Sequence, residues 1–93
     1  MSVSVRLPTI LRPQAGGLSE VSAEGGTVGE VVDDVVRQFP GTASHLKAAD
    51  GGLHRFVNVY LNDEDVRYLA GLETPVPSGA QLSIVPAVAG GGG

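Results

Sequence analysis

The first residues of the chain alternate. In "SVSVRL", Val3, Val5 and Leu7 fall on one side of an extended backbone and Ser4 and Arg6 on the other, the period-2 pattern of a half-buried strand. Pro13, Gly16 and Gly17 in "RPQAGG" interrupt that pattern and predict a turn. "LSEVSA" resumes it more weakly, so the two segments predict an N-terminal hairpin with a long loop. The period then changes. Across "GGTVGEVVDDVVRQFPG", Val28, Val31, Val32, Val35, Val36 and Phe39 recur at helical spacing, while Asp33, Asp34, Arg37 and Gln38 cover the solvent side. Thr27 is placed to cap this helix, Glu30 three residues on completes a capping box, and Pro40 and Gly41 end the helix. Valine is a mediocre helix former, so packing of the apolar stripe must hold the helix together.

The second half reads as strands. "TASHLKAADGG" is polar and turn-rich, with one short helical turn around Leu46. In "RFVNVYL", Val57, Val59 and Leu61 share one face, and Phe56, Asn58 and Tyr60 the other. That predicts a central strand covered in part on each side. "NDEDVRY" predicts an acidic turn entering a short strand. "PVPSGAQLSIVPAV" predicts a Pro/Gly turn and a final strand running to Ala87 or Val88, with Leu82, Ile84 and Val88 inward. One helix and a mixed sheet make a two-layer α+β domain, and 93 residues make one such domain with no internal repeat.

Composition narrows the function. Cysteine is absent, which removes disulfides, thiolate metal ligands and a cysteine nucleophile, and makes a reducing cytoplasm the expected location. "MSVSVRLPTI" lacks the apolar run of a signal peptide, and no stretch has the length of a membrane span, so no membrane partner is expected. The net charge is −4 and the basic residues Arg6, Arg12, Arg37, Lys47, Arg55 and Arg67 are scattered, so no basic stripe exists for nucleic acid. An acidic protein of this size suits docking on a basic patch of a protein partner.

The candidate chemical motifs each have a structural explanation. "GGTVGE" opens a helix where phosphate could bind. No P-loop lysine follows, however, and Glu30 would repel an anion, so capping is the better reading. Asp63, Glu64 and Asp65 lack the spacing and glycine of a calcium loop and read as a solvated hairpin turn. His45 and His54 have no third ligand at metal spacing, and no nucleophile motif accompanies them, so both are expected in loops or at the surface. Nothing in the chain reads as an enzyme's own site.

The tail remains. In "PAVAGGGG" the glycines emerge directly from the end of the last strand at Ala87 or Val88, and Ala87, Val88, Ala89, Gly90, Gly91, Gly92 and Gly93 are the residues a partner could take in. Four extended residues reach about 13 Å, enough to carry a carboxylate down a partner's narrow channel where side chains would jam. At neutral pH that carboxylate is an anion and a poor electrophile, so a partner would have to activate it, most simply as an acyl-adenylate made from ATP. Composition alone does not separate such a thread from a frayed end.

The combination resembles a known family. A one-helix α+β domain whose last strand runs into a glycine tail resembles the ubiquitin-like β-grasp proteins. "PTILRP", "HRFVNVYLNDEDVR" and "PAVAGG" are similar to the cysteine-synthesis type among the prokaryotic sulfur carriers of thiamine, molybdopterin and cysteine synthesis, over nearly the whole chain. The resemblance implies a β-grasp domain at residues 1–88, with four to five strands packed on one helix, and a flexible glycine tail at 89–93. It implies that an E1-like enzyme adenylates the terminal glycine carboxylate and that a sulfur donor converts it to a thiocarboxylate. The sulfur then passes to an aminoacrylate on a pyridoxal-phosphate cysteine synthase or to another sulfur-accepting enzyme, and a metalloprotease frees the product. ATP and pyridoxal phosphate belong to those partners, and the carrier binds no cofactor. The matching diglycine falls at Gly90 and Gly91. Either Gly91 is the working end and the last two residues are trimmed, or Gly93 is and the tail is long, or the extra glycines are a cloning remnant. Conjugation of the activated glycine to lysines of a target, and a plain interaction domain, are the alternative functions.

Overall fold

In the computed structural model, residues 2–49, 52–54 and 57–86 are described. Five strands form one sheet: β1 (Ser2–Arg6), β2 (Glu20–Glu24), β3 (Val57–Leu61), β4 (Glu64–Asp65) and β5 (Gln81–Pro86). Their order across the sheet is β2-β1-β5-β3-β4. β1 and β2 form the expected antiparallel hairpin, in register from Ser2 opposite Glu24 to Arg6 opposite Glu20. β5 lies between β1, to which it runs parallel, and β3, to which it runs antiparallel, so the sheet is mixed as expected. Helix α1 (Val28–Gln38) crosses one face, and the single-turn helix α2 (Ala43–Leu46) supplies the helical turn expected at Leu46. This is the β-grasp, ubiquitin-like arrangement.

Period explains the layers. On the inner face of the sheet Val3, Val5, Val21, Ala23, Val57, Val59, Leu82 and Ile84 are buried, and α1 presents Val28, Val31, Val32 and Val35 to the same core. Each such valine contributes on the order of 1.5–3 kcal/mol on burial, which offsets its weak helix propensity. The capping box forms as its spacing requires. Thr27 Oγ1 accepts from the Glu30 amide at 3.2 Å, and Glu30 Oε1 accepts from the Gly26 amide at 2.7 Å. Both groups that could have met an anion are therefore used by the helix itself. Gly25 lies against the same turn, and a Cβ there would come within 2.7 Å of the Val31 nitrogen and 2.9 Å of the Glu30 carbonyl carbon.

Three expectations change. The "RPQAGG" segment is not a simple turn: Thr9–Ala15 winds as a 3-10 helix that ends on Gly16 in the left-handed conformation. Leu11 and Ala15 on its inner side are fully buried, and Pro13 is tolerated because no long ladder depends on its missing N–H. The short strand after the acidic turn is only Glu64–Asp65, and Val66–Tyr68 then forms a 3-10 turn with Asp65 Oδ1 accepting from the Arg67 amide at 2.9 Å. Asp34 is not simply on the solvent face. It accepts from the Glu24 amide at 3.0 Å and from Gln38 Nε2 at 2.8 Å, and it pairs with Arg37, while Gln38 also donates to the Ser22 carbonyl at 2.9 Å. Asp34 thus ties α1 to β2. Asp33 is exposed and pairs with Lys47. Phe56, expected on the face opposite Val57, Val59 and Leu61, Val88, expected inward, and the expected domain boundary at residue 88 lie outside the described residues.

Two tests follow from this packing. Gly25→Ala should lower stability by about 1–3 kcal/mol, because backbone atoms of the first helical turn must move to admit the methyl; urea unfolding measures it, and a neutral result would mean the turn yields freely. The Arg37 hydrogen bond, opposed by burial and helped by the Glu24 amide, holds the Asp34 carboxyl below its ordinary value. The stabilisation is therefore present above the ordinary carboxylate range and lost as pH falls through the lowered value. Asp34→Asn should melt below wild type at pH 7, and the gap should narrow steadily below about pH 4; a gap independent of pH would deny Asp34 this role.

Candidate functional site

The tail can work only if its root is fixed, so the site begins with β5. Its first half is held on both sides: Gln81, Leu82 and Ser83 pair with Ser4, Val5 and Arg6 of β1, while Leu82 through Pro86 pair with Leu61 through Val57 of β3. Side chains reinforce these ladders. On the outer face Glu20 of β2 accepts from Ser4 Oγ of β1 and, at 2.9 Å, from Gln81 Nε2 of β5, which joins three strands through one carboxylate. Those two bonds, Ser4 first, lower the Glu20 pKa against a small opposing effect of burial, and the charge of Arg6 assists.

The far end of the β3–β5 ladder has its own clamp. Asn62 takes the left-handed conformation that the two-residue β3–β4 loop requires (φ 56°). Its amide donates to the Gln81 carbonyl at 2.7 Å and its Oδ1 accepts from the Gln81 amide at 3.3 Å. At the exit end, Arg67 reaches back across the sheet edge, donating to the Val57 carbonyl at 3.1 Å and to Asn58 Oδ1. Val57 is the residue opposite Pro86, the last described residue of β5. The chain is thus delivered to the tail from a strand fastened at both ends. Pro86 has no N–H on the side of β5 where β1 no longer pairs, so no donor is left unpaired there.

The expected tail residues Ala87, Val88, Ala89, Gly90, Gly91, Gly92 and Gly93 lie outside the described residues. The other candidates are placed by the structure. Asp63 is exposed in the hairpin turn, as the solvated-turn reading expects, whereas Glu64 and Asp65 belong to β4, Glu64 exposed and Asp65 half-buried. His45 sits half-buried in α2, and His54 is half-buried with its amide bonded to the Leu46 carbonyl at 2.9 Å. Among the described residues no three His, Asp or Glu side chains gather to hold a metal ion. No helix among them is long and apolar enough to cross a membrane. Sequence reasoning missed the clamps of Asn62, Arg67 and Glu20. Asn62 carried a signal, because Asn tolerates the left-handed conformation and is favoured in tight turns. Arg67 and Glu20 carried none, since their partners stand at no regular spacing from them in the sequence.

Comparison with known proteins places this arrangement. The ThiS family profile matches residues 5–91. Sulfur carrier protein CysO of Mycobacterium tuberculosis (strain ATCC 25618 / H37Rv) is 50% identical over 93 residues, covering 98% of this chain and 100% of that protein. A crystal structure of the Amycolatopsis orientalis BexX/CysO complex contains a chain 51% identical with a TM-score of 0.87, covering 95% of this chain and 98% of that one. The crystal structure of SAMP1 from Haloferax volcanii matches at 29% identity and a TM-score of 0.81, over 97% of this chain and 99% of that one.

The clamp at the exit makes a local prediction. Arg67→Ala should cost about 1 kcal/mol of stability. It should also speed hydrogen exchange at the Asn58 and Val85 amides more than at the Tyr60 and Ser83 amides, which lie further along the same ladder. Uniform acceleration along the ladder would show that Arg67 does not hold the exit end in particular.

Proposed function

The chain belongs to the ThiS family and is a sulfur carrier, and we propose that its sulfur rides on the carboxylate of Gly91, in the service of cysteine synthesis. The observation that carries this reading is the extent of the family match, which takes in the β-grasp body and the Gly90–Gly91 pair and stops there. The match to the mycobacterial carrier, complete for that protein and 98% of this chain, agrees with it.

The scheme asks little chemistry of the carrier. An E1-like enzyme joins the Gly91 carboxylate to the α-phosphate of ATP and releases pyrophosphate. A sulfur donor then displaces AMP from the acyl carbon and leaves a thiocarboxylate. A pyridoxal-phosphate cysteine synthase, or another sulfur-accepting enzyme, takes up the sulfur, and a metalloprotease releases the finished product from the tail. All ATP and pyridoxal phosphate chemistry stays with the partners, and the carrier contributes position. From Pro86 to Gly91 is five residues (91 − 86), an extended reach of roughly 17 Å from the fixed end of β5. Glycine at the last positions leaves a thread with no side chain to catch on a channel wall. Gly92 and Gly93 must be removed before the Gly91 carboxylate exists. Ala87, Val88 and Ala89 form the stem of the thread, with enough side chain for a partner to grip. A relative of 51% identity occurs in a complex with BexX, which supports a carrier that works by docking on other proteins. The likeness to a small archaeal modifier is weaker, at 29% identity, and makes lysine conjugation the lesser reading.

Intact-mass spectrometry tests the scheme. A chain ending at Gly91, incubated with an E1-like enzyme, ATP and a sulfide source, should gain the mass of one sulfur-for-oxygen exchange, and the chain ending at Gly93 should do so only after trimming. Direct conversion of the Gly93 form, with the Gly91 form inert, would move the working carboxylate to Gly93. No conversion of either would count against carriage, and ladders of heavier conjugates in cell extract would favour the modifier.

A further inference from the structure

The sheet ends in β2 on one side and in β4 on the other. An edge strand shows a row of outward amides and carbonyls with which another chain can pair. On β2 those groups can be identified. The Ser4 amide donates to the Ala80 carbonyl at 3.2 Å, and the Leu7 amide to the Ser19 carbonyl at 2.8 Å. Ser4 therefore turns its backbone groups away from β2. By the alternation of an antiparallel ladder, its partner Ser22, with Glu20 and Glu24 on either side, turns its own away from β1.

The common protections of an edge are missing from this strand. β2 carries no lysine or proline, and its register with β1 runs over all five residues without a bulge. Ser22 and Ala23 are small and put no bulk in the way of an approaching strand. The Glu20 carboxylate is turned back over the sheet to Ser4 and Gln81. What stands at the edge comes from α1 instead. Asp34 Oδ2 accepts from the Glu24 amide at 3.0 Å, and Gln38 Nε2 donates to the Ser22 carbonyl at 2.9 Å. The two side chains brace each other, because Gln38 Nε2 also donates to Asp34 Oδ2 at 2.8 Å, and Arg37 Nε donates to Asp34 Oδ1 at 3.0 Å. The Asp34 side chain is only 12% exposed, wedged between helix and strand.

These are the two backbone groups that a second copy would need. Let two copies meet edge to edge, antiparallel and centred on Ala23. Ser22 of each then stands opposite Glu24 of the other, and no carboxylate stands opposite another. The Glu24 amide of one copy would donate to the Ser22 carbonyl of its partner, twice over by symmetry. The opposite side of the sheet is closed in the same manner. β4 covers only Tyr60 and Leu61 of β3, and beyond it the Val57 carbonyl is taken by Arg67.

We propose that Asp34 and Gln38 are edge guards, holding the outward backbone groups of β2 so that a second copy of this chain does not add its own β2 to the sheet. The inference stands whatever the tail carries. It gives α1 a task beyond filling the core: its polar side finishes the sheet that its valines cover.

Analytical ultracentrifugation of the full chain tests this. Wild type should sediment as a monomer as its concentration is raised. Asp34→Ala combined with Gln38→Ala should approach twice the monomer mass over the same range. Adding Ser22→Pro to that variant should return the monomer, because proline removes the outward N–H and obstructs a paired strand. Val35→Ala, which empties part of the core without opening β2, should lose stability and stay monomeric. Circular dichroism checks that each variant folds. If the double variant does not, Gln38→Ala alone, which bares the Ser22 carbonyl and keeps the Asp34 bond, should still associate more than wild type, and its failure to do so counts in the same way. A folded double variant that stays monomeric overturns the proposal. So does equal association by Val35→Ala, which would trace it to lost stability, or association that survives Ser22→Pro, which would place it on another surface. A wild-type dimer that Ser22→Pro dissolves also overturns it, since the edge would then be open in the native chain.

Discussion

The pairing of β5 with β1 is the constraint from which the rest of the structure follows. β1 is the first strand of the chain and β5 the last described one, and they lie side by side and parallel at the middle of the sheet. Parallel neighbours need a long crossover. Here nearly the whole chain serves as that crossover, with β2 turned outward on one side, β3 and β4 on the other, and α1 laid across the face. Bringing such distant segments together is entropically unfavourable. It is offset because Val3, Val5, Leu82 and Ile84 all bury against α1 once the pair forms. The arrangement leaves β5 with hydrogen-bonded neighbours on both sides and sends its end out at the sheet's centre.

The parts of this design that were legible in the sequence are those governed by local period. Alternation marked β1 and β3, the 3.6-residue stripe of valines marked α1, and Thr27 with Glu30 marked its start, because each signal repeats within a few residues of itself. The 3-10 helix Thr9–Ala15 was hidden because its three-residue turn has no strong hydrophobic signature, and Pro13 with Gly16 and Gly17 mimicked a simple turn. Asp34 was misread because an acidic residue on a helix normally faces water, and only the tertiary fold brings the Glu24 amide within reach. Glu20 joins segments as far apart as β1 and β5, and Arg67 reaches nine and ten residues back to β3, a separation with no periodic signal. The tail's residue types were visible at once; its purpose was not, since glycine reports freedom without saying what that freedom is for, and the family likeness supplied the purpose.

Charge is sorted along with shape. Acidic side chains gather on α1, on β2 and at the β3–β4 hairpin, where they cap, pair or meet water. Arg6 and Arg12 stand by the tail exit. A net charge averages over this division and so conceals it: the expectation of an acidic protein meeting a basic partner describes the helix side, while the exit side has the opposite sign. The two descriptions concern different faces of one small body.

The strand that roots the tail also decides how the molecule bears force. A tug on the tail, from an enzyme translocating or prising at it, acts along β5, nearly at right angles to the hydrogen bonds that hold that strand to β1 and β3. Such bonds are loaded in shear and resist together, whereas a strand peeled from an edge loses them one after another. The thread can therefore be handled roughly while the body to which it is attached stays intact.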